Sequence, residues 1–235
     1  MFRQCDGHPD HMAAWNDQDV IRAASLLVEV SRRPILELAI QQMIVSPTST
    51  SPLTSVLARI LQVMRTPDGD PLREQGDVLL QCCFRIATDQ TGPRQREWPS
   101  LRRGALLERL IAGLLSDRMA AIHHEHRISI SGWESPCQDI CGVSDGSPDI
   151  PYVEIYEAKT DVADLTNELI DLAAIHERVQ DLGEVVVAVA TLMPDSYVDA
   201  VATDPSIPAV VMRVTQETIL GLAVRPPTDP LRTAA

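Results

Sequence analysis

Apolar positions in the first hundred residues recur at helical intervals. From Asp19 onward, Val20, Ile21, Ala24, Leu27 and Val28, then Ile35, Leu36, Leu38, Ala39 and Met43, fall three or four apart, the spacing of one buried helix face. Pro34 divides this stretch into two helices or opens the second. Ser46–Pro52 predicts a loop rich in helix-capping residues. A helix over about Leu53–Met64 follows it, with Val56, Leu57, Ile60, Leu61 and Met64 on one side. The Thr66–Pro71 segment predicts a turn, and another helix is expected over about Leu72–Ala87. Residues 1–17 are polar, carry Gly7 and Pro9, and are expected to be frayed. Thr88–Ser100, with Gly92, Pro93 and Pro99, is the best linker candidate.

The second half has a different pattern. Leu101–Met119 carries a stripe of Leu106, Leu107, Leu110, Ile111, Leu114 and Leu115. Short strand-like runs follow at Arg127–Ile130, Asp139–Val143 and Val153–Ala158. A helix is expected over Leu165–Leu182, ended by Gly183, then a buried strand over Glu184–Leu192. A short helix is expected after Pro194 and a last strand over Ala209–Val214. This order predicts an α/β fold, with an N-terminal helical region followed by a mixed sheet flanked by helices. The expected divisions are a flexible N-terminus (1–17), a helical region (18–98), an α/β domain (99–225) and a flexible tail (226–235).

Composition narrows the class. In 235 residues, 45% are apolar and 23% charged, which suits a globular chain and excludes disorder throughout. The longest apolar runs, such as Val185–Ala190, are too short to cross a bilayer. The start of the chain has no secretory-type apolar stretch, so a cytoplasmic protein with no membrane partner is expected. Five cysteines lack framework spacing, and reduced thiols are the simplest expectation. The net charge is −13, which argues against a free-standing nucleic-acid binder, because phosphate affinity comes from basic surface.

One compositional bias bears on chemistry. Nineteen of the twenty basic residues are arginine; the single lysine is Lys159. Lysine has a compact ammonium whose pKa can move on burial, whereas the guanidinium is planar and permanently charged. A lysine surviving such a bias is a candidate for work that arginine cannot do, against the alternative of chance survival at a tolerant site.

The neighbours of Lys159 strengthen that candidacy. Gln138–Thr160 predicts strand, polar turn, strand. Side chains alternate in a strand, so Glu157 and Lys159 share one face and Glu154, Tyr156 and Ala158 the other. Asp139 shares its face with Cys141 and Val143. A hairpin pairing would set Asp139 beside Glu157. Adjacent carboxylates repel one another, and a divalent cation between them removes the repulsion. Magnesium takes one or two carboxylates plus water and phosphate oxygens, and a neighbouring lysine can offset charge on a phosphorane-like transition state.

Asp139 followed by Glu157-Ala158-Lys159 resembles the PD-(D/E)XK, or restriction-endonuclease-like, nuclease superfamily. The resemblance covers about Leu101–Leu222. Arg103-Gly-Ala-Leu-Leu-Glu108 is similar to the family's first core helix, which often bears an extra acid. The resemblance implies a restriction-endonuclease-like core. Asp139 and Glu157 would hold Mg²⁺ (or Mn²⁺), Lys159 would serve the nucleophilic water, and Glu108 would support the metal. Pro148-Asp149 offers a literal Pro-Asp only seven residues before Glu157. Asp139 is preferred because it heads an apolar strand while Asp149 falls in a turn; Asp145 ranks third.

Other candidates are weaker. His123, His124 and His126, with Cys137 and Cys141, lack chelating spacing and are expected to be surface histidines and buried cysteines. Six arginines between Arg94 and Arg118 outnumber three acids there. Arg94, Arg96, Arg102 and Arg103 are candidates for contacting a phosphate backbone, with a solvated helix face as the alternative. Residues 161–235 hold twelve acids against four arginines, a surface that should repel DNA. The expectation is therefore a magnesium-dependent endonuclease acting on nucleic acid, DNA above RNA, in defence, restriction or repair. A homo-oligomer or partner subunit would supply affinity. The alternative is a catalytically silent scaffold or adaptor on the nuclease fold, with the helical region docking a protein partner.

Overall fold

A computed structural model describes residues 2–31, 71–144, 152–160, 165–191, 195–201, 210–215 and 218–227. The helix expected over Leu53–Met64, the break at Pro34, and Asp145 and Asp149 lie outside these residues. The chain divides into a helical unit, residues 8–110, and a sheet unit comprising residues 1–7 and 111–235. The fold is mixed α/β.

In the helical unit, α1 (Pro9–Trp15) opens with proline in its first turn, where a missing N–H costs nothing. His8 caps it by accepting from the Asp10 amide at 3.3 Å. Asp17 Oδ1 then accepts from the amides of Asp19 and Val20 at 3.0 and 3.1 Å and so starts α2 (Gln18–Ser31). Val20, Ala23, Ala24 and Leu27 of α2 are buried, as are Leu79, Cys82 and Ile86 of α3 (Pro71–Thr88). These stripes meet where α2 packs on α3, each buried leucine contributing roughly 1.5–3 kcal/mol. The segment expected as a linker folds tightly before α4 (Trp98–Leu115). A Cβ on Gly92 would lie 2.2 Å from the Trp98 ring, so only glycine lets the indole pack there.

The sheet unit holds strands β1 (Phe2–Gln4), β2 (Ala121–Ile130), β3 (Trp133–Glu134), β4 (Gln138–Val143), β5 (Tyr152–Lys159), β6 (Glu184–Thr191) and β7 (Met212–Val214). The order is β1-β2-β4-β5-β6-β7, with β3 paired to β2. Pairing is antiparallel from β1 to β5 and parallel from β5 through β7. The parallel step is bridged by α5 (Leu165–Val179), as a parallel pair requires. α6 (Asp195–Val201) precedes β7. Val187–Ala190 is buried on both faces, which explains why β6 reads as a continuous apolar run instead of an alternating one.

One sheet face packs on α5. Cys141, Ile155, Val187 and Val189 meet Leu165, Leu169, Leu172 and Val179. The opposite face carries Gly142, Glu154 and Tyr156. There a Cβ on Gly142 would approach Met119 Cγ to 3.0 Å.

Several expectations are corrected. Residues 1–17 are not uniformly frayed: they contain β1 and α1. Phe2–Gln4 adds a strand to β2, and its three residues are too few to show a period in sequence. The boundary between the two units falls at Leu110/Ile111, inside α4. β2 begins six residues earlier than expected, since His123–His126 pair through backbone despite their polar side chains. Cys5 and Cys137 form a disulfide, where reduced thiols were expected; only Cys82, Cys83 and Cys141 are free.

Candidate functional site

β4 and β5 pair through Ile140↔Tyr156 and Cys141↔Ile155. The same antiparallel register, carried one step further, sets Asp139 opposite Glu157. The Ala158 amide donates to Asp139 Oδ2 at 2.7 Å, which fixes that carboxylate beside the β5 backbone. Alternation places Asp139, Glu157 and Lys159 on the face that packs on α5. Val189 and Thr191 of β6 stand beside Glu157 and Lys159 respectively.

The lysine has two carboxylate partners. Lys159 Nζ lies 2.8 Å from Glu157 Oε1 and 2.9 Å from Glu168 Oε1. Glu168 belongs to the first turn of α5, where an acid is also favoured by the helix dipole. Glu168 was missed in the sequence. Its signal was there: it falls three residues after Leu165 and four before Leu172, inside the stripe that faces the core.

Burial governs the electrostatics. Glu157 is 7% exposed. Desolvation, then the nearby Asp139 charge, push its pKa well above the ordinary glutamate range, and Lys159 only partly opposes them. Desolvation works against the charge on Lys159, but Glu157 and Glu168 together outweigh it and raise its pKa. The ammonium therefore persists across the physiological range. Burial, with Asp139 and Glu157 adding to it, also raises the Cys141 thiol, which leaves an inert core cysteine. The chemistry present is thus two acids and a cation on one face of the sheet, with Glu168 added from α5, and one of the acids carries a disfavoured negative charge.

Asp139 and Glu157 supply hard oxygen donors of the kind magnesium takes, with water and phosphate completing its shell. Among the described residues, no three His, Cys, Asp or Glu side chains converge closely enough to hold an ion by themselves. Glu108 lies on α4 in the helical unit, its Oε1 over Gly104.

The basic candidates separate. Arg102 is 1% exposed and is bound to Asp17 at 2.7 Å, Asp19 at 3.1 Å and the Arg85 carbonyl at 2.8 Å. It is a core anchor and cannot reach a phosphate, contrary to expectation: Asp17, Asp19 and, at 3.7 Å, Asp89 repay the burial of its charge. Arg94 is accessible but pairs with Asp10 at 2.7 Å and Glu97 at 3.2 Å. Arg103 is half-buried and Arg96 is exposed.

No protein-family model matches the chain, and no curated protein matches it. A solved structure described as protein VC1899 from Vibrio cholerae is similar at 15% identity with a TM-score of 0.38. The match covers 94% of this chain and 57% of that one; the chain thus spans somewhat more than half that protein's length. Among the described residues, no helix is long and apolar enough to cross a membrane.

Proposed function

We propose that the chain is a divalent-metal-dependent nuclease of the PD-(D/E)XK type, hydrolysing phosphodiester bonds in DNA. The observation that supports this is the meeting of Asp139 and Glu157 across β4 and β5, with the sole lysine of the chain held against Glu157. Two carboxylates and a lysine on one strand rim form the smallest set that phosphodiester hydrolysis needs.

Each group has a distinct role. Asp139, oriented by the Ala158 amide, and Glu157 would hold the Mg²⁺, whose charge would relieve the repulsion between the two carboxylates. When bound, the ion supplies polarisation of a phosphoryl oxygen and a water that ionises near neutral pH. Lys159 stays charged, donates to the attacking water or a phosphoryl oxygen, and offsets the negative charge that develops in the transition state. With a net charge of −13, affinity for the polyanion would come from a second copy or a partner subunit.

A second reading is favoured by one observation: of the four arginines expected to meet a phosphate backbone, Arg102 is buried against Asp17 and Asp19, and Arg94 is paired with Asp10 and Glu97 at the surface. On that reading the protein is a scaffold or adaptor that binds another protein and cuts nothing.

The deciding experiment incubates the full chain with plasmid, single-stranded DNA and RNA in Mg²⁺ or Mn²⁺, beside Lys159→Ala and Lys159→Arg. Loss of a transition-state donor costs on the order of 10²–10³ in rate, so wild type should cut and Lys159→Ala should fall by about that factor. Lys159→Arg keeps charge but not shape and should also be impaired. If wild type cuts none of the three substrates, or both variants cut as fast as wild type, the nuclease reading is wrong.

A further inference from the structure

Glu168 and Glu157 hold the same ammonium from two different elements, at 2.9 and 2.8 Å. Their chemical situations differ. Glu157 stands beside Asp139 and is the carboxylate that a divalent cation would claim. Glu168 comes from α5, across the face, and forms its ion pair with Lys159. A cation gripped by Asp139 and Glu157 would compete with Lys159 for the Glu157 oxygens and would repel the ammonium as a like charge. With Glu157 as its only partner, Lys159 would then be released to solvent, since its side chain is already 25% exposed.

We propose that Glu168 is a positioning residue that retains Lys159 at the site when the cation takes Glu157. This rests on the nuclease reading for its purpose, though not for its geometry. Two features support it. Glu168 occupies a position in the α5 stripe whose neighbours Leu165, Leu169 and Leu172 are all buried, so its backbone is held by the core and its carboxylate is not a wandering surface group. Second, three carboxylates and one ammonium leave the cluster a formal charge of −2, which one divalent cation neutralises. Without Glu168 the same cation would leave the site positively charged. Glu168 therefore serves both the lysine's placement and the cation's affinity.

The single lysine provides a direct test that needs no cleavage. Full-length protein made with lysine labelled with ¹⁵N at Nζ gives one side-chain ammonium resonance. It is recorded for wild type, Glu168→Gln and Glu157→Gln, with and without MgCl₂. In wild type, the resonance should be protected from solvent exchange and should shift but remain when Mg²⁺ is added. Glu157→Gln should keep it without Mg²⁺, held by Glu168. Glu168→Gln should keep it without Mg²⁺, held by Glu157, and lose it when Mg²⁺ is added. The Mg²⁺ concentration for the half-maximal effect should rise about tenfold in Glu168→Gln. On DNA, Glu168→Gln should lower kcat about tenfold with KM unchanged.

A Glu168→Gln resonance that survives Mg²⁺, or a wild-type resonance that Mg²⁺ abolishes or leaves unmoved, overturns the proposal. The two readings fail separately. If wild type cuts no nucleic acid while the resonances behave as expected, the anchor stands and the nuclease falls. If wild type cuts DNA and Glu168→Gln cuts equally with its resonance intact, the anchor falls and the nuclease stands.

Discussion

Replacing Arg118 by methionine should be among the most damaging single changes in the sheet unit. Glu154 of β5 is fully buried. Its carboxylate is held by Arg118 Nη2 at 2.6 Å, by a second guanidinium contact from Nη1, by the Tyr152 hydroxyl at 2.5 Å and by the Tyr156 hydroxyl. Arg118 Nε also donates to the Leu222 carbonyl at 2.6 Å, which ties the 3₁₀ turn Ile219–Ala223 to the strand. Removing the arginine strands a buried charge with two phenols for company. Breaking a buried pair in this way costs about 3–5 kcal/mol, of which the Leu222 hydrogen bond accounts for about 1 kcal/mol. For a chain of this size that is a fall of roughly 6–20 °C in Tm. Urea denaturation of wild type, Arg118→Met, Glu154→Gln and the double variant measures it. The double variant should recover part of the loss, because neutralising Glu154 removes the stranded charge. A loss below about 1 kcal/mol for Arg118→Met, or strictly additive losses in the cycle, would show that the clasp does not hold β5 as described.

Three further outcomes follow from the same geometry. Glu157 has its pKa raised by folding, so the folded state binds more protons than the unfolded chain from the ordinary glutamate value upward. Stability must therefore fall as pH rises through that window. Glu157→Gln should flatten this slope above the ordinary glutamate value and stabilise the metal-free protein at neutral pH by about 1 kcal/mol, read as a urea midpoint; a destabilised variant refutes it. Reducing Cys5–Cys137, which are 132 residues apart, should lower Tm with a loss of at most about 5 kcal/mol. Cys5→Ser should abolish the response to reductant; an unchanged Tm in wild type under reductant refutes it. Arg102→Ala should cost about 3–5 kcal/mol by leaving Asp17 and Asp19 without their buried partner, whereas exposed Arg96→Ala should stay within about 0.5 kcal/mol. Equal losses in calorimetry would contradict the burial of Arg102.

What the sequence revealed depended on how the information is carried. β5, α5 and β6 were legible because each carries a local signal: alternation in Tyr152–Lys159, a three-and-four stripe in Leu165–Val179, and a valine run in β6. The neighbourhood of Asp139 and Glu157 was legible too, since antiparallel register follows from two strands and a connection. β1 was not, because Phe2–Gln4 owes its conformation to β2 and not to any local preference. The Cys5–Cys137 link is equally non-local. Arg102 misled for a different reason: in sequence it is one more charge in a basic segment, and only the convergence of Asp17, Asp19 and Asp89 upon it makes it a core residue. Glu168 was readable in principle, as an acid in an apolar stripe, but its partner had to be seen to give it meaning.

The strongest guide to the site is a contrast between two carboxylates three residues apart on β5. Both are buried, and both belong to the same strand. Glu154 meets a guanidinium and two hydroxyls, a set that satisfies a carboxylate's acceptors and needs nothing further. Glu157 meets one ammonium that it must share with Glu168, and it faces a second acid, Asp139, across the strand pair. Desolvation alone does not separate the two, since Glu154 is the more deeply buried. The difference is the balance of charge around each. A fold that needed Glu157 only for stability would be served as well by glutamine or by an apolar residue, as buried pairs often are. On the proposed nuclease reading, a divalent cation would complete the set around an acid that burial and Asp139 both oppose. That inference does not depend on the spelling of a motif, and the stability of Glu157→Gln with and without Mg²⁺ tests it. Stabilisation in the absence of the cation should give way to a deficit in its presence. A variant that stays the more stable protein at saturating Mg²⁺ would mean that nothing binds at Asp139 and Glu157.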